Sequence, residues 1–345
     1  MRFFRPRTTE KSTHLALHTH PSYLEQHLIA YSLMTSLTID PKLERFLQKY
    51  SHSQSKEAPV AVFDCDDTLI RGDIGESMFY FQLEHFLLPT SPVILWPDHP
   101  KIKELGNLYG GLSDLPPEKA VRDRRFISFA EIMLDWYFDQ LAQGKTEKAC
   151  SDIVSLFAGF SPTEVQQIAR ATTKKEIESQ QSEWMMGRHR LPRGIRFIKE
   201  SLDLLKELND AGFDIWVVSG SNQWSVEAVC DHIGIRPDHV IGIDLAEKDN
   251  VFTPSVKQPV PVLEGKVGAL KKRVSSAPKI VVSDSTYDIP LFKYSEELRV
   301  LVRPAIGQDF FQSGRVSRDE SWVVIETPTL IERPENEWPT QPLPS

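Results

Sequence analysis

The sequence predicts an α/β protein: a Rossmann-like parallel sheet covered by helices on both faces, with a helical domain inserted into it. Three observations carry this. Short apolar runs bounded by polar residues, such as Pro59-Val60-Ala61-Val62-Phe63, read as strands buried on both faces. From Ile195 onward such runs alternate with segments of helical periodicity, and that alternation builds parallel sheets. Between the first strand and Ile195, helical signals dominate and strand character is weak.

Taken in order, the insertion shows helices at 78–88, 124–141, 147–157 and 162–178. The last of these opens with the capping box Ser161-Pro162-Thr163-Glu164. Ile195, Ile198, Leu202, Leu205 and Leu208 predict a helix over 195–208, with Gly212 as its stop. A strand at 214–218 follows, then a helix at 225–233 ended by Gly234, a strand at 240–243, a helix at 267–274 and a strand at 279–282. Further strands are expected at 298–302 and 322–325. The division is therefore an N-terminal extension over 1–57, a core over 58–75 and 190–330, a helical cap over 76–189 and a tail over 331–345. The His- and Thr-rich stretch 1–33 is expected to be poorly ordered, with Met34 as an alternative start. The tail is rich in proline and polar residues and is expected to be disordered.

The chain has 345 residues, 40% hydrophobic and 26% charged, which is ordinary globular composition. A net charge of -8 argues against nucleic acid as partner, which needs a basic footprint, and favours a small molecule. Cys65, Cys150 and Cys230 form no CxxC pair, so neither a disulfide framework nor a zinc site is suggested, and a reducing, cytoplasmic setting fits. No run approaches the ~20 apolar residues of a membrane span, and Arg2, Arg5 and Arg7 precede no apolar signal region. Oligomeric state leaves no trace in the sequence.

Four short elements stand at or just past predicted strand ends, where ligands bind in open α/β sheets: Asp64-Cys65-Asp66-Asp67-Thr68, Val218-Ser219-Gly220-Ser221, Gly265-Lys266 and Ser283-Asp284-Ser285-Thr286-Tyr287-Asp288. Each alone is weak, since acidic pairs after strands are usually solvated and a lone lysine is usually surface. Together they suit the chemistry of a phosphate monoester, an anion whose attack by a nucleophile benefits from a hard dication with oxygen ligands. Asp64 can attack phosphorus with one oxygen and bind metal with the other. Asp66 points to the same side if the chain stays extended, and can protonate the leaving oxygen and then activate water. Cys65, between them, is expected to be buried filler on the far face. Ser219 and the amides around Gly220 offer donors to a phosphoryl group, and Lys266 offers a cation. Asp284 completes the metal's carboxylate set, while Asp288 could hold Lys266 or a metal-bound water, or simply complement a helix dipole.

These elements resemble the four signature motifs of the haloacid dehalogenase superfamily, over residues 58 to about 327. The resemblance implies a phosphoaspartyl intermediate at Asp64, Mg2+ held by Asp64, Asp284 and the backbone carbonyl of Asp66, and phosphate contacts from Ser219 and Lys266. Aspartate at position 66 speaks against the dehalogenase branch. A helical insertion after the first motif is similar to the C1-cap branch that contains phosphoserine phosphatase. Within it, Asp73-Ile74-Gly75-Glu76-Ser77, Phe157-Ala158-Gly159-Phe160, Gly265-Lys266 and Trp322-Val323-Val324 are similar to phosphorylcholine phosphatases. The chain departs from the branch in two places. Asp73 stands where phosphoserine phosphatases place a glutamate, with Glu76 three residues on, and Ser219-Gly220-Ser221 stands where alanines are expected in the phosphorylcholine enzymes.

Phe79, Tyr80, Phe81, Trp136, Tyr137, Phe138 and Trp184, with Glu76, Glu84 and Glu131, are the residue types of an ammonium cage, although the same spacing also serves core packing. Asp73 and Glu76 are the acidic candidates nearest the nucleophile. The expected activity is Mg2+-dependent hydrolysis of a small phosphorylated metabolite, such as an amino-alcohol or amino-acid ester. The alternatives are a phosphotransferase or a non-catalytic binding protein on the same fold; a receiver domain is too short and has no such insertion.

Overall fold

The computed structural model describes residues 40–51, 57–302, 310–311, 314 and 316–331. The segment 1–39 and the proline-rich tail after Ile331 lie outside the described residues. Its strands are β1 (Val60–Phe63), β2 (Ile70–Arg71), β3 (Glu183–Met186), β4 (His189–Pro192), β5 (Arg196–Ile198), β6 (Asp214–Asn222), β7 (Val240–Ile243), β8 (Leu245–Lys248), β9 (Val251–Val256), β10 (Ile280–Ser283), β11 (Leu298–Val302), β12 (Trp322–Ile325) and β13 (Leu330–Ile331).

Six of them form one parallel sheet in the order β12-β11-β10-β1-β6-β7. The period of two along each strand divides its residues between two apolar layers. Ala61, Phe63, Ile215, Val217, Ile280 and Val282 face the layer filled by Leu202, Leu205 and Leu208 of the helix Lys199–Asp210. Val60, Val62, Trp216, Val218 and Val281 face the layer filled by Leu270, Leu291 and Phe292. Both faces are thus covered, which is why the strands read as unbroken apolar runs.

The expected helix over 195–208 begins only at Lys199. Ile195 and Ile198 match helical spacing by coincidence: Phe197 pairs with Ile70 and Ile331 in a small antiparallel sheet, β13-β5-β2. The end of the expected extension is ordered as well. Asp40 accepts the Lys42 amide at 2.8 Å, Pro41 opens the helix Pro41–Ser51, and Leu43, Phe46 and Leu47 reach the core at helical spacing.

The insertion is helical as expected, with Ile74–Glu84, Phe126–Ala142, Thr146–Ser155 and Pro162–Glu178 as its longer helices with counterparts in the sequence reading, and Ile102–Ser113 in addition. The Ser161–Glu164 capping box forms. The first helix starts at Ile74 and not near 78, because Asp73 caps it through the Glu76 amide at 2.7 Å. Two hairpins escape the sequence reading, β3–β4 and β8–β9. The second ties the cap to the core, with Gly159 N donating to Phe252 O at 2.9 Å and Phe252 N to Phe160 O at 2.8 Å. Phe157, Trp224 and Phe252 pack between them, so cap and core share one apolar cluster. Among the described residues no helix is long and apolar enough to cross a membrane.

Phe46 is 7% exposed and its ring centroid lies 5.0 Å from Tyr50 and 5.7 Å from Phe213. Phe46→Ala is expected to lower unfolding free energy by about 3 kcal/mol in urea denaturation, as a buried aromatic truncation does. A change within experimental error would place this helix outside the folded core.

Candidate active site

β1 is the centre of the sheet, and the Asp64 amide still donates to Val282 O at 2.9 Å, so Asp64 leaves the sheet at the tip of the strand. The chain then folds round the Cys65 carbonyl, which accepts the amides of Thr68, Leu69 and Ile70. Cys65 itself is fully buried in the core layer, as expected. Asp67 adopts φ 51° and closes the loop with its own carboxylate, accepting the Gly72 amide at 3.2 Å and the Arg71 guanidinium at 3.1 Å. Asp64 and Asp66 both reach the same cavity.

Lys266 enters from the helix Glu264–Lys271. The glycine before it is sterically required: a Cβ on Gly265 would lie 1.8 Å from the Val260 carbonyl oxygen. Leu263, in the same turn, holds φ 53°, a conformation glycine prefers, and is one of the residues lining the cavity. Lys266 is 5% exposed, and its ammonium donates to Asp64 Oδ1 at 2.8 Å and to Asp288 Oδ2 at 2.8 Å. Ser283 Oγ also donates to Asp288 Oδ2, at 2.6 Å. Of the roles open to Asp288, the structure therefore gives it that of holding Lys266. Burial alone would lower the lysine's pKa, but Asp288 and Asp64 outweigh it and hold the ammonium charged.

The second motif departs from expectation. β6 does not end at 218 but continues to Asn222 through a bulge, since Val218 pairs with Ile241 and Asn222 with Ile243. Gly242 allows this crossing, because a Cβ there would meet the Gln223 backbone at 2.7 Å. The bulge buries Ser219 completely and turns Gly220, Ser221 and Asn222 to the cavity. Ser219 Oγ donates to Asp66 Oδ2 at 3.2 Å and Ser221 Oγ to the same oxygen at 2.6 Å, while Ile74 N donates to Asp66 Oδ1 at 2.8 Å. Ser219, expected to contact phosphate, is thus engaged with Asp66.

The cavity holds about 350 Å³ and is walled on one side by the acids and on the other by Tyr137, Leu141, Cys150, Ile153 and Val154 of two cap helices. Of these only Tyr137 was legible as a candidate. Which helix faces turn inward depends on packing between elements far apart in sequence; Leu263 gave no signal either, and Tyr287, although inside the fourth motif, was assigned no role.

The expected cage is only partly assembled. Glu76 is clamped by Tyr80 Oη at 2.8 Å and Tyr137 Oη at 2.9 Å, and it lines the cavity with Asp73. Glu84 instead binds Lys175 at 2.6 Å and Arg193 at 2.9 Å, and Glu131 binds Arg188 at 2.8 Å. Trp184 lies under Arg193, Phe81 under Lys175, and Trp136 donates to Asp152 at 3.0 Å. Phe79 is core, and Phe138 packs on His189.

Among the described residues, seven carboxylates line this cavity (Asp64, Asp66, Asp67, Asp73, Glu76, Asp284 and Asp288) against one lysine. Burial pushes the pKa of Asp64 well up despite Lys266, with Asp288 and Asp284 adding to it. Burial, then the Asp288 and Asp67 charges, push Asp284 up to about 8. Asp73 is raised by burial and by Asp66 and Glu76. Such a hard-oxygen cluster fits a dication. Among the described residues no three acidic, His or Cys side chains converge as a metal cluster. The set implied by the resemblance needs only the Asp64 and Asp284 carboxylates and the Asp66 carbonyl, because the Asp66 and Asp288 side chains are engaged elsewhere.

An α/β sheet with an acid–lysine cluster at its strand tips and a helical cap above it defines a capped α/β protein with a buried acidic site. The family model for haloacid dehalogenase-like hydrolases matches residues 105–293, more than half of the chain, and the chain belongs to that family. The matched stretch contains the second, third and fourth motifs, and Asp64 lies upstream of it. No curated protein matches in sequence. A conserved functionally unknown protein from Anaerococcus prevotii DSM 20548 shares the fold, with TM-score 0.62 and 17% identity over 82% of this chain and 90% of that one. A protein of unknown function from Bordetella pertussis Tohama I is 17% identical over 77% of this chain and 97% of that one, with TM-score 0.49. A substrate-bound phosphoserine phosphatase is 16% identical over 79% and 95%, with TM-score 0.40.

An acid whose folded pKa is raised takes up a proton on folding. The metal-free protein therefore loses stability as pH rises from the unfolded carboxylate range toward the folded value of about 8 for Asp284. Protons compete with metal for these oxygens, so Mg2+ is expected to raise the thermal midpoint more at about pH 8 than at about pH 5. Asp284→Asn should abolish that rise and, without metal, melt above wild type. Equal Mg2+ shifts in both proteins would contradict this site.

Proposed function

We propose that the protein is a Mg2+-dependent phosphatase of small phosphorylated metabolites, working through a phosphoaspartate at Asp64. The observation that carries this reading is Asp64 at the tip of the central strand, held through one oxygen by buried Lys266, with Asp66 beside it in the same cavity. Lys266 and the amides of the β6 bulge would neutralise and orient the transferring group. Bound at Asp64, Asp284 and the Asp66 carbonyl, Mg2+ would supply charge neutralisation for an anionic substrate in a cavity that is otherwise strongly acidic. Asp66 would protonate the leaving oxygen and afterwards take a proton from the hydrolytic water. A volume of about 350 Å³ under a cap suits a small ester and not a folded phosphoprotein.

For the leaving group, we favour a cationic one, an amino-alcohol or amino-acid ester such as phosphorylcholine or phosphoserine. Glu76, oriented by two tyrosines, and Asp73 supply the negative side of the cavity away from Lys266. Phosphate release measured with Mg2+ and with EDTA, over amino-alcohol, amino-acid and sugar phosphates, tests both levels. Metal-dependent release that Asp64→Asn reduces to background is expected. Glu76→Gln should raise KM for amino-alcohol esters about tenfold, the scale of one charge-assisted contact, and leave p-nitrophenyl phosphate unaffected. Sugar-directed activity insensitive to Glu76→Gln would remove the cationic substrate and keep the phosphatase.

A further inference from the structure

Asp66 needs a defined orientation, and the side chain that constrains it most closely is not one that phosphate chemistry calls for. Ser221 Oγ lies 2.6 Å from Asp66 Oδ2. Its lone-pair side is taken by the Gly75 amide, which donates to it at 3.2 Å, so the single hydroxyl hydrogen is directed to the carboxylate. The other acidic neighbour, Asp73 Oδ1, is farther away at 3.5 Å. Gly75 is small for this contact: a Cβ there would sit 2.4 Å from Ser221 Oγ. The β6 bulge, the start of the helix Ile74–Glu84 and the nucleophile loop therefore meet at one serine hydroxyl.

We propose that Ser221 is a positioning residue for Asp66, fixing the carboxyl group that passes a proton to the leaving oxygen. The inference rests on the phosphatase reading above. In the step concerned, an Asp64 oxygen forms the new bond to phosphorus and the ester P–O bond breaks. The departing oxygen takes the proton of Asp66, and the resulting carboxylate is received by Ser221, Ser219 and the Ile74 amide.

A proton donor matters most for poor leaving groups, which separates this role from phosphate binding. The test measures kcat/KM, which stops at phosphoenzyme formation, for aryl phosphates from p-nitrophenyl to p-methoxyphenyl, with inorganic phosphate as inhibitor. Ser221→Ala is expected to lower kcat/KM about tenfold or more for the least acidic phenol and less than about threefold for p-nitrophenyl phosphate, within the span of general acid catalysis. Its inhibition by inorganic phosphate should be unchanged. A uniform loss across the series, weakened phosphate inhibition, or no loss at all would each overturn the proposal. Should the alanine protein fail to fold, Ser221→Cys, with similar shape and a weak donor, carries the same comparison. Wild-type protein unable to hydrolyse p-nitrophenyl phosphate with Mg2+ would instead sink the phosphatase reading and this inference with it.

Discussion

An ammonium removed from water must be paired or lose its charge, and Lys266 is paired twice, with Asp64 and with Asp288. Three distant parts of the chain have to arrive together for this to hold. Register supplies two of them, since Phe63 lies beside Val282 on adjacent parallel strands, so the loops after β1 and β10 emerge side by side. The third arrives through a turn that tolerates no side chain at Gly265 and that holds Leu263 in an unfavourable backbone conformation. Replacing the trio by apolar residues of similar volume would relieve a costly arrangement.

The electrostatic imbalance around that trio follows the same logic. Burial first, and then the like charges crowding the cavity, raise the pKa values of these acids, a strain that any bound cation would relieve. Glu76 and Asp66 are each held by hydroxyl groups, from two tyrosines and two serines respectively. Hydroxyls orient a carboxylate without neutralising it, so both remain able to act on something that enters.

The cap is joined to the core by shared apolar packing and by backbone hydrogen bonds. Phe157, Trp224 and Phe252 belong to one cluster, and the β8–β9 hairpin hydrogen-bonds to the cap loop at Gly159 and Phe160. Swinging the cap away whole would expose side chains each contributing about 1.5–3 kcal/mol by their burial.

The sequence by itself determined the parallel sheet and the helical insertion through periodicity, because strands buried on both faces and amphipathic helices carry their own local signatures, and the order of the four acid, serine, lysine and acid elements through residue types at strand ends. Local chemistry also announced the Ser161 cap. What lay beyond it were features that depend on residues distant in the chain. Ile195 and Ile198 read as helix until β2 and β13 pair with β5. Ser219 read as a strand tip until β7 forced the bulge that turns it to Asp66. The aromatic and acidic residues of the cap read as one cage, but Lys175, Arg188 and Arg193 draw Glu84 and Glu131 away and leave Glu76 with its tyrosines. Composition can state which groups are available for pairing; only the folded chain decides which partner is within reach, since a hydrogen bond or ion pair depends on distances of a few ångströms that sequence separation does not encode.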